Sequence, residues 1–347
     1  MVVQVALECI DMKLQSTLWL LLFFPLGCLV SCSTDLDLMQ DAPSEAVLYA
    51  IINPADSLNY VRLTKTCARE VSFDEMLDDP DNFYFDHATV SIDINSPQGH
   101  PLKSFNLERV LMPDKNKGIF ASSPNYAYAL NEYLMPFLDA GYQVRIVVST
   151  GESDHLVTAQ QNYRKPPEIL QPKGTTWTKL SFYSPDPAYV EWEDQFGFKQ
   201  YELEIRINYS NHYRDSIEQT STSCLYHIIS RNVSDSKTIM SAKYKIEGDE
   251  LLRVFNIKLT DNQDVNYRSF ISIAFIIRCL NDEYCNYVES SPITSDRKGR
   301  PVTNVVGGLG LFSLMAVSQT VGFKLDNQTT DSLIDGRYTE HLRFQKW

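Results

Sequence analysis

Basic runs are absent from this 347-residue chain. Acids outnumber bases 44 to 31, giving a formal net charge of −13, so no cationic stripe is available for a phosphate backbone or an anionic bilayer. No Cys-x-x-Cys pair occurs, and the histidines (His87, His100, His155, His212, His227 and His341) are scattered without ligand spacing. A zinc site is therefore unsupported. No Gly-x-Ser-x-Gly elbow and no cysteine–histidine pairing of defined context is present, so no nucleophilic catalyst is specified. No apolar run reaches the ~20 residues that a membrane-spanning helix needs. These absences lead us to expect no cofactor, no metal, no nucleic-acid partner and no enzymatic activity. What the chain does have is 44% apolar and 12% aromatic residues, enough for a substantial core rather than disorder.

The longest apolar run, LWLLLFFPLGCLV (Leu18–Val30), has the length of a signal-peptide h-region. Upstream, Glu8 and Asp11 are acidic where a leader is basic, whereas Met12 and Lys13 supply a start and a charge. The natural chain is thus expected to begin at Met12, with residues 1–11 an upstream extension and 12–31 a signal peptide. The run closes on LVSC, which resembles the bacterial lipobox, with Cys32 at the acylation position. Cys28 is the poorer candidate because Pro25 stands three residues before it. A thiol can carry a thioether-linked diacylglycerol, and the freed amine takes a further chain such as palmitate. Several chains are needed, because one contributes only about 0.8 kcal/mol per buried CH₂ and holds marginally. Residues 32–44 then form a tether. Its acids, Asp35 and Asp37, resemble the export signal that sends Bacteroidota lipoproteins to the cell surface.

Beyond the tether most segments alternate with the two-residue period of half-buried strands. VLYAIINPADSLNYVRLTKT (Val47–Thr66) is two such runs around turn formers, a hairpin. HATVSIDI (His87–Ile94) and GYQVRIVVST (Gly141–Thr150) alternate in the same way, and the spacing of these strands predicts an immunoglobulin-like β-sandwich over residues 45–162. The Pro-rich stretch 163–174 reads as a linker. Residues 175–347 read as a second, β-rich domain with minor helices. In YELEIRINY (Tyr201–Tyr209) the apolar residues share one face, and Glu202, Glu204, Arg206 and Asn208 share the other. GDELLRVFNIKL (Gly248–Leu259) changes to a helical period. YRSFISIAFIIRC (Tyr267–Cys279) reads as a strand buried on both faces, followed by a short helix capped by Asn281 or Asp282. The predicted fold class is mainly β.

Several stretches taken together, VLYAIINPADSLNYVRLTKT, GIFASSPNYAY, AGYQVRIVV…VTAQ, YELEIRINY and TNVVGGLGLFS (Thr303–Ser313), are similar to a family of Bacteroidota outer-membrane lipoproteins known only as a domain of unknown function. The similarity runs from about Glu45 to the C-terminus. It implies a lipidated envelope protein, often encoded beside a TonB-dependent transporter, and it implies no catalytic residues. Cys285 departs from the pattern, standing where an aromatic is common.

Each chemically suggestive constellation also has a structural account. GGLGLF (Gly307–Phe312) supplies Gly-x-Gly, but Ser313 occupies the third glycine position of a dinucleotide loop and strand-like residues follow. A bulge or a close backbone approach explains it better. The acids Asp74, Glu75, Asp78, Asp79 and Asp81 lack the order of a calcium loop and read as solvated. Glu191, Glu193 and Asp194 flank Trp192, and nothing sets them across a scissile bond as a glycosidase requires. The aromatics of EWEDQFGFKQY are likewise expected in the core rather than against a sugar. Cys279 and Cys285 are close enough to form a disulfide in an oxidising compartment, with buried free thiols as the default. Ser57, Ser216 and Ser332 each follow Asp and precede an aliphatic residue, which resembles an O-glycosylation acceptor of Bacteroidota envelopes.

The resulting expectation is a non-enzymatic lipoprotein held in the outer membrane by its lipid, facing the cell exterior, and capturing a ligand for a TonB-dependent β-barrel. A structural or adhesive surface protein is the alternative, with a surface hydrolase ranked below it. A deep polar cleft holding Asp or Glu pairs would promote the hydrolase, and a long, thin two-domain rod without a cleft would favour adhesion.

Overall fold

Burial alternates along the strands as the sequence alternates. In β1 (Ala46–Ile52) residues 46, 48, 50 and 52 are buried, and β3 (Thr89–Asn95) and β7 (Gln143–Ser149) bury Val90, Ile92, Ile94 and Val144, Ile146, Val148 in the same rhythm. These elements come from a computed structural model that describes residues 44–66, 82–114, 123–151, 156–194, 198–213, 219–230, 240–290 and 302–346. The leader, Cys32, the tether to residue 43 and the acidic run at 74–81 lie outside the described residues.

The remaining strands of the first half are β2 (Asn59–Lys65), β4 (Pro101–Asn106), β5 (Glu108–Met112), β6 (Asn125–Leu130) and β8 (Val157–Asn162). The second half holds β9 (Ile169–Gln171), β10 (Lys179–Leu180), β11 (Tyr189–Asp194), β12 (Phe198–Tyr213), β13 (Gln219–Ser230), β14 (Met240–Lys245) and α1 (Gly248–Lys258). It continues through β15 (Val265–Asn281), α2 (Asp282–Ser290), β16 (Gly308–Leu314), β17 (Ala316–Gln319), β18 (Lys324–Leu325) and α3 (Asn327–Asp335). The fold is mainly β, as the sequence predicts.

Two sheets, in the orders β16-β1-β2-β6-β5 and β4-β3-β7-β8, share the first core. The predicted hairpin is present, β1 and β2 pairing antiparallel from Ala46↔Lys65 to Ala50↔Val61. Three sheets and the helices α1 and α3 build the second core, and its principal sheet runs β13-β12-β15-β17. Trp192, Phe198 and Tyr201 are inside it, with Trp192 meeting Tyr201 edge-on at 5.6 Å between ring centroids. The aromatics around β11 are thus core, as expected. In β15 residues 273–277 are buried consecutively, the two-sided burial that its apolar run predicts.

The expected division at residues 163–174 needs correction. Tyr163 belongs to the first core, and Ile169–Gln171 is a strand paired with β11, so this stretch is not a bare linker. More consequentially, β16 leaves the second half and pairs in parallel with β1 from Ala46↔Gly308 to Ile52↔Leu314. Val305, Phe312 and Leu314 thereby complete the first core. A self-contained immunoglobulin-like sandwich over 45–162 is not confirmed, since its first sheet takes an edge strand from far along the chain. The alternation in GLGLFSL marks a strand but carries no label for its partner.

A buried polar knot ties the two cores together. The Gln161 side-chain oxygen accepts from the Asn281 amide at 2.7 Å and from the Leu314 backbone N–H at 2.7 Å. Asn281 Oδ1 accepts from the Ser313 hydroxyl at 3.1 Å and from the Tyr284 N–H at 3.0 Å. The last bond caps α2, which decides between the two expected caps in favour of Asn281.

Helix α3 starts at Asp326, whose carboxylate accepts from the Thr329 N–H at 2.9 Å. Burial pushes the Asp326 carboxyl upward, but the hydrogen bonds from Thr329 and the nearby Lys179 outweigh it and hold the group below its ordinary 3.8. The folded value being depressed, the cap contributes fully above the ordinary carboxylate range and is lost as pH falls through the lower folded value. Asp326→Ala is expected to cost about 1 kcal/mol at pH 7, and the gap to wild type should shrink near pH 3. Urea titrations of both proteins at the two pH values check this; a gap independent of pH would show that the carboxylate charge is not what caps the helix.

Candidate functional site

The turn joining β1 to β2 is held rigid by its own asparagines. Asn59, 5% exposed, accepts from the Asn53 N–H at 2.8 Å and donates its amide back to the Asn53 carbonyl at 3.0 Å. Asn53 Oδ1 accepts from the Ala55 N–H at 3.2 Å, a short-range bond characteristic of this residue in turns. Backbone N–H groups of Leu134 and Met135 bind the Pro54 carbonyl from outside. The turn thus presents Asp56 and Leu58 from a fixed platform.

Opposite the turn lies the outer face of β12 and β15, away from the second core. Successive outward positions of β12 carry Glu204 and Arg206, and β15 adds Arg278 from across the ladder. Glu204 is only 1% exposed. Its Oε1 accepts from Arg206 Nε at 3.0 Å and Nη2 at 2.9 Å, and its Oε2 is paired with Arg278 Nη2. The guanidiniums are 33% and 21% exposed, so the carboxylate is the floor and the two cations sit above it. A buried carboxylate is tolerated here because it is paired on both oxygens.

Between these walls is a cavity of about 460 Å³, lined among others by Ile51, Asp56, Leu58, Arg206, Arg278 and Val317. That volume is within the ligand-site range. The exposed apolar Ile51, Leu58 and Tyr60 flank the two guanidiniums, so one cleft combines apolar wall with concentrated charge.

The expected site residues fall elsewhere. Ser57 is exposed on the turn, where a glycan has room. Ser332 is half-buried in α3 and bonded to Tyr183, and Ser216 lies outside the described residues. Glu191 and Glu193 point outward from a single strand rather than facing across a cleft. Gly307–Phe312 is strand and close backbone approach, as the missing third glycine implies. Among the described residues no group of three or more His, Cys, Asp or Glu is placed to hold a metal, and no helix is long and apolar enough to cross a membrane.

The Cys279–Cys285 bridge is not formed, and both thiols are free and buried. Cys279 points into the second core beside Tyr201, whereas Cys285 sits on α2 near Lys199 and Glu202. Two cysteines six residues apart in sequence are thereby sent to different surroundings. Burial raises both thiols, Cys285 to about 11, so neither is a thiolate at neutral pH. Iodoacetamide at pH 8 should leave both unmodified in the native protein and label both after denaturation. Peptide mapping by mass spectrometry reads this, and rapid native labelling of either would contradict the burial.

Sequence reasoning places Glu204 and Arg206 on the polar face of their strand but assigns them no role. The available signal was Arg278, a lone charge inside the apolar run IAFIIRC. Compared with protein-family models and with curated proteins, the chain matches none.

Proposed function

We propose that this protein is a lipid-anchored envelope protein that captures a small ligand in the cleft between the β1–β2 turn and the outer face of β12 and β15. The observation that carries this reading is the cleft itself, ligand-sized and walled by Arg206 and Arg278. The buried Glu204 is ion-paired with those guanidiniums, an arrangement that holds charge in place rather than one that shuttles protons.

The rest of the reading draws on the sequence. Lipidation at Cys32 accounts for the leader and its LVSC ending, and the acids at Asp35 and Asp37 fit display on the cell exterior. The resemblance to Bacteroidota lipoproteins supports a TonB-dependent β-barrel as partner. A tethered binding domain raises the local concentration of ligand at the mouth of such a barrel, which gives anchoring and capture one purpose. The adhesive alternative has no use for a cleft of this kind, and the hydrolase would need a carboxylate pair or a metal within it.

Affinity purification from native outer membranes in mild detergent, with co-purifying proteins identified by mass spectrometry, tests the partnership. One TonB-dependent barrel recovered in stoichiometric amount is the expected result. Recovery of the lipoprotein alone would overturn the transporter partnership.

A further inference from the structure

One sheet edge borders the cleft, and its main chain is open. We propose that the captured ligand is a short extended peptide that pairs with the outer edge of β17 as an added strand and sends alternate side chains to the two faces of the sheet. This rests on the reading of the cleft as the capture site and adds the chemistry of what is captured.

The phase of the ladder is the first argument. β17 is the last strand of its sheet, with β15 on one side. Ser318 stands opposite Ile277 and Val317 opposite Arg278, and just past the strand the Thr320 N–H donates to the Phe275 carbonyl at 2.9 Å. Hydrogen-bonded pairs alternate in an antiparallel ladder, so Ala316 and Ser318 bond β15 while Val317 and Gln319 turn their N–H and C=O groups outward. Met315 fixes the same phase independently. Its N–H leaves on the outer side and meets the Ile52 carbonyl, at the end of β1, at 2.8 Å. Beyond that bond the chain of β1 turns away, and among the described residues nothing pairs with the outward groups of Val317 and Gln319.

The surroundings of this edge supply the second argument. A row of alternating main-chain donors and acceptors is matched by another extended main chain, which is how sheet edges recruit strands. The wall across from it cannot satisfy the carbonyls, because Pro166, Pro167 and Pro172 have no N–H to give. Val317 and Gln319 line two recesses at once, the cleft of about 460 Å³ and a groove of about 520 Å³ walled by those prolines. The groove is on the opposite face, where the Ser318 hydroxyl donates to the Pro167 carbonyl. Side chains of a strand alternate between faces, so a peptide on this edge fills both recesses. Ile52 closes one end and β17 stops at Gln319, which leaves room for a peptide of a few residues rather than a long strand.

Random capped pentapeptides, N-acetylated and C-amidated, are passed over the immobilised full chain, and the retained ones are identified by mass spectrometry. Enrichment of about tenfold or more over a blank support is expected, after which the leading peptide is titrated calorimetrically. Methylating its backbone nitrogens one at a time should weaken binding about tenfold at every second position and little between, because only alternate amides face β17. Val317→Pro, which removes an outward N–H and no ladder bond, should weaken the parent peptide by a similar factor. The methylation scan uses unaltered protein, so a folding defect in that variant leaves the test decisive. Amide exchange at Val317 and Gln319 should be fast in the free protein and slowed by the peptide. Slow exchange in the free protein would show the edge already covered by another part of the chain and would overturn the proposal. Methylation losses without the two-residue period, or wild-type binding by a folded Val317→Pro, would overturn strand pairing while leaving capture in the cleft intact. If no peptide is enriched, the peptide ligand is overturned, and the co-purification result separately decides the uptake reading.

Discussion

Gly310→Ala is expected to destabilise the protein by about 3–5 kcal/mol, a large share of the roughly 5–15 kcal/mol by which an ordinary domain is stable. Gly310 sits in β16 with φ of +113°, and a Cβ built there would lie 2.0 Å from the Leu48 carbonyl oxygen and 2.8 Å from its carbon. Both atoms are backbone of the parallel partner β1, so no side chain can swing aside to make room. The strand could accept a methyl group only by moving away, and moving away breaks the pairing from Ala46↔Gly308 to Ile52↔Leu314. Phe312 and Leu314 would leave the first core with it. Gly99→Ala is the control. Gly99 also has a positive φ, +84°, but nothing lies within 4 Å of its built Cβ, so only backbone strain of about 1–2 kcal/mol is expected. Urea denaturation of the two variants separates steric closure from strain. If they lose equal stability, the close approach of β16 to β1 is wrong.

Glu204→Gln should cost about 3–5 kcal/mol, because it leaves two guanidiniums side by side over an uncharged floor. The substitution keeps the shape but turns one of the two engaged acceptor oxygens into an NH2 donor facing a guanidinium, so the loss reports the charge together with one lost acceptor. Partial exposure of Arg206 and Arg278 places the expected value toward the lower end of that range. The triple replacement Glu204→Leu, Arg206→Leu, Arg278→Met removes all three charges and is expected to recover most of the lost stability, since apolar residues of similar volume replace buried ion clusters at little cost. Recovery of stability in the triple variant would show that the cluster's charges contribute no more to the fold than well-packed apolar side chains do. A Glu204→Gln variant as stable as wild type would mean that the guanidiniums do not depend on this carboxylate.

The sequence alone determined the elements that depend on neighbours within a few residues. The alternation of Val90, Ile92 and Ile94 fixes a strand and its buried face; Asn53, Pro54 and Asp56 fix a hairpin turn; the spacing of Leu251, Leu252, Phe255 and Leu259 fixes α1. Ser313, standing where a nucleotide loop needs glycine, was enough to read GGLGLF as strand. Tertiary structure decided everything that requires a choice of partner. Alternation specifies which face of β16 is apolar but not that its neighbour is β1, more than two hundred and fifty residues earlier, and the division into halves failed for that reason. It likewise gave no reason for Cys279 and Cys285 to part, because the direction of a helix leaving a strand is set by packing. The cleft is the extreme case. Asp56, Arg206 and Arg278 lie on three segments that share no local pattern, and they line one cleft because the two cores pack together, bonded through Gln161 and Asn281. A side-chain period carries information about a face, while a site is a property of which faces meet.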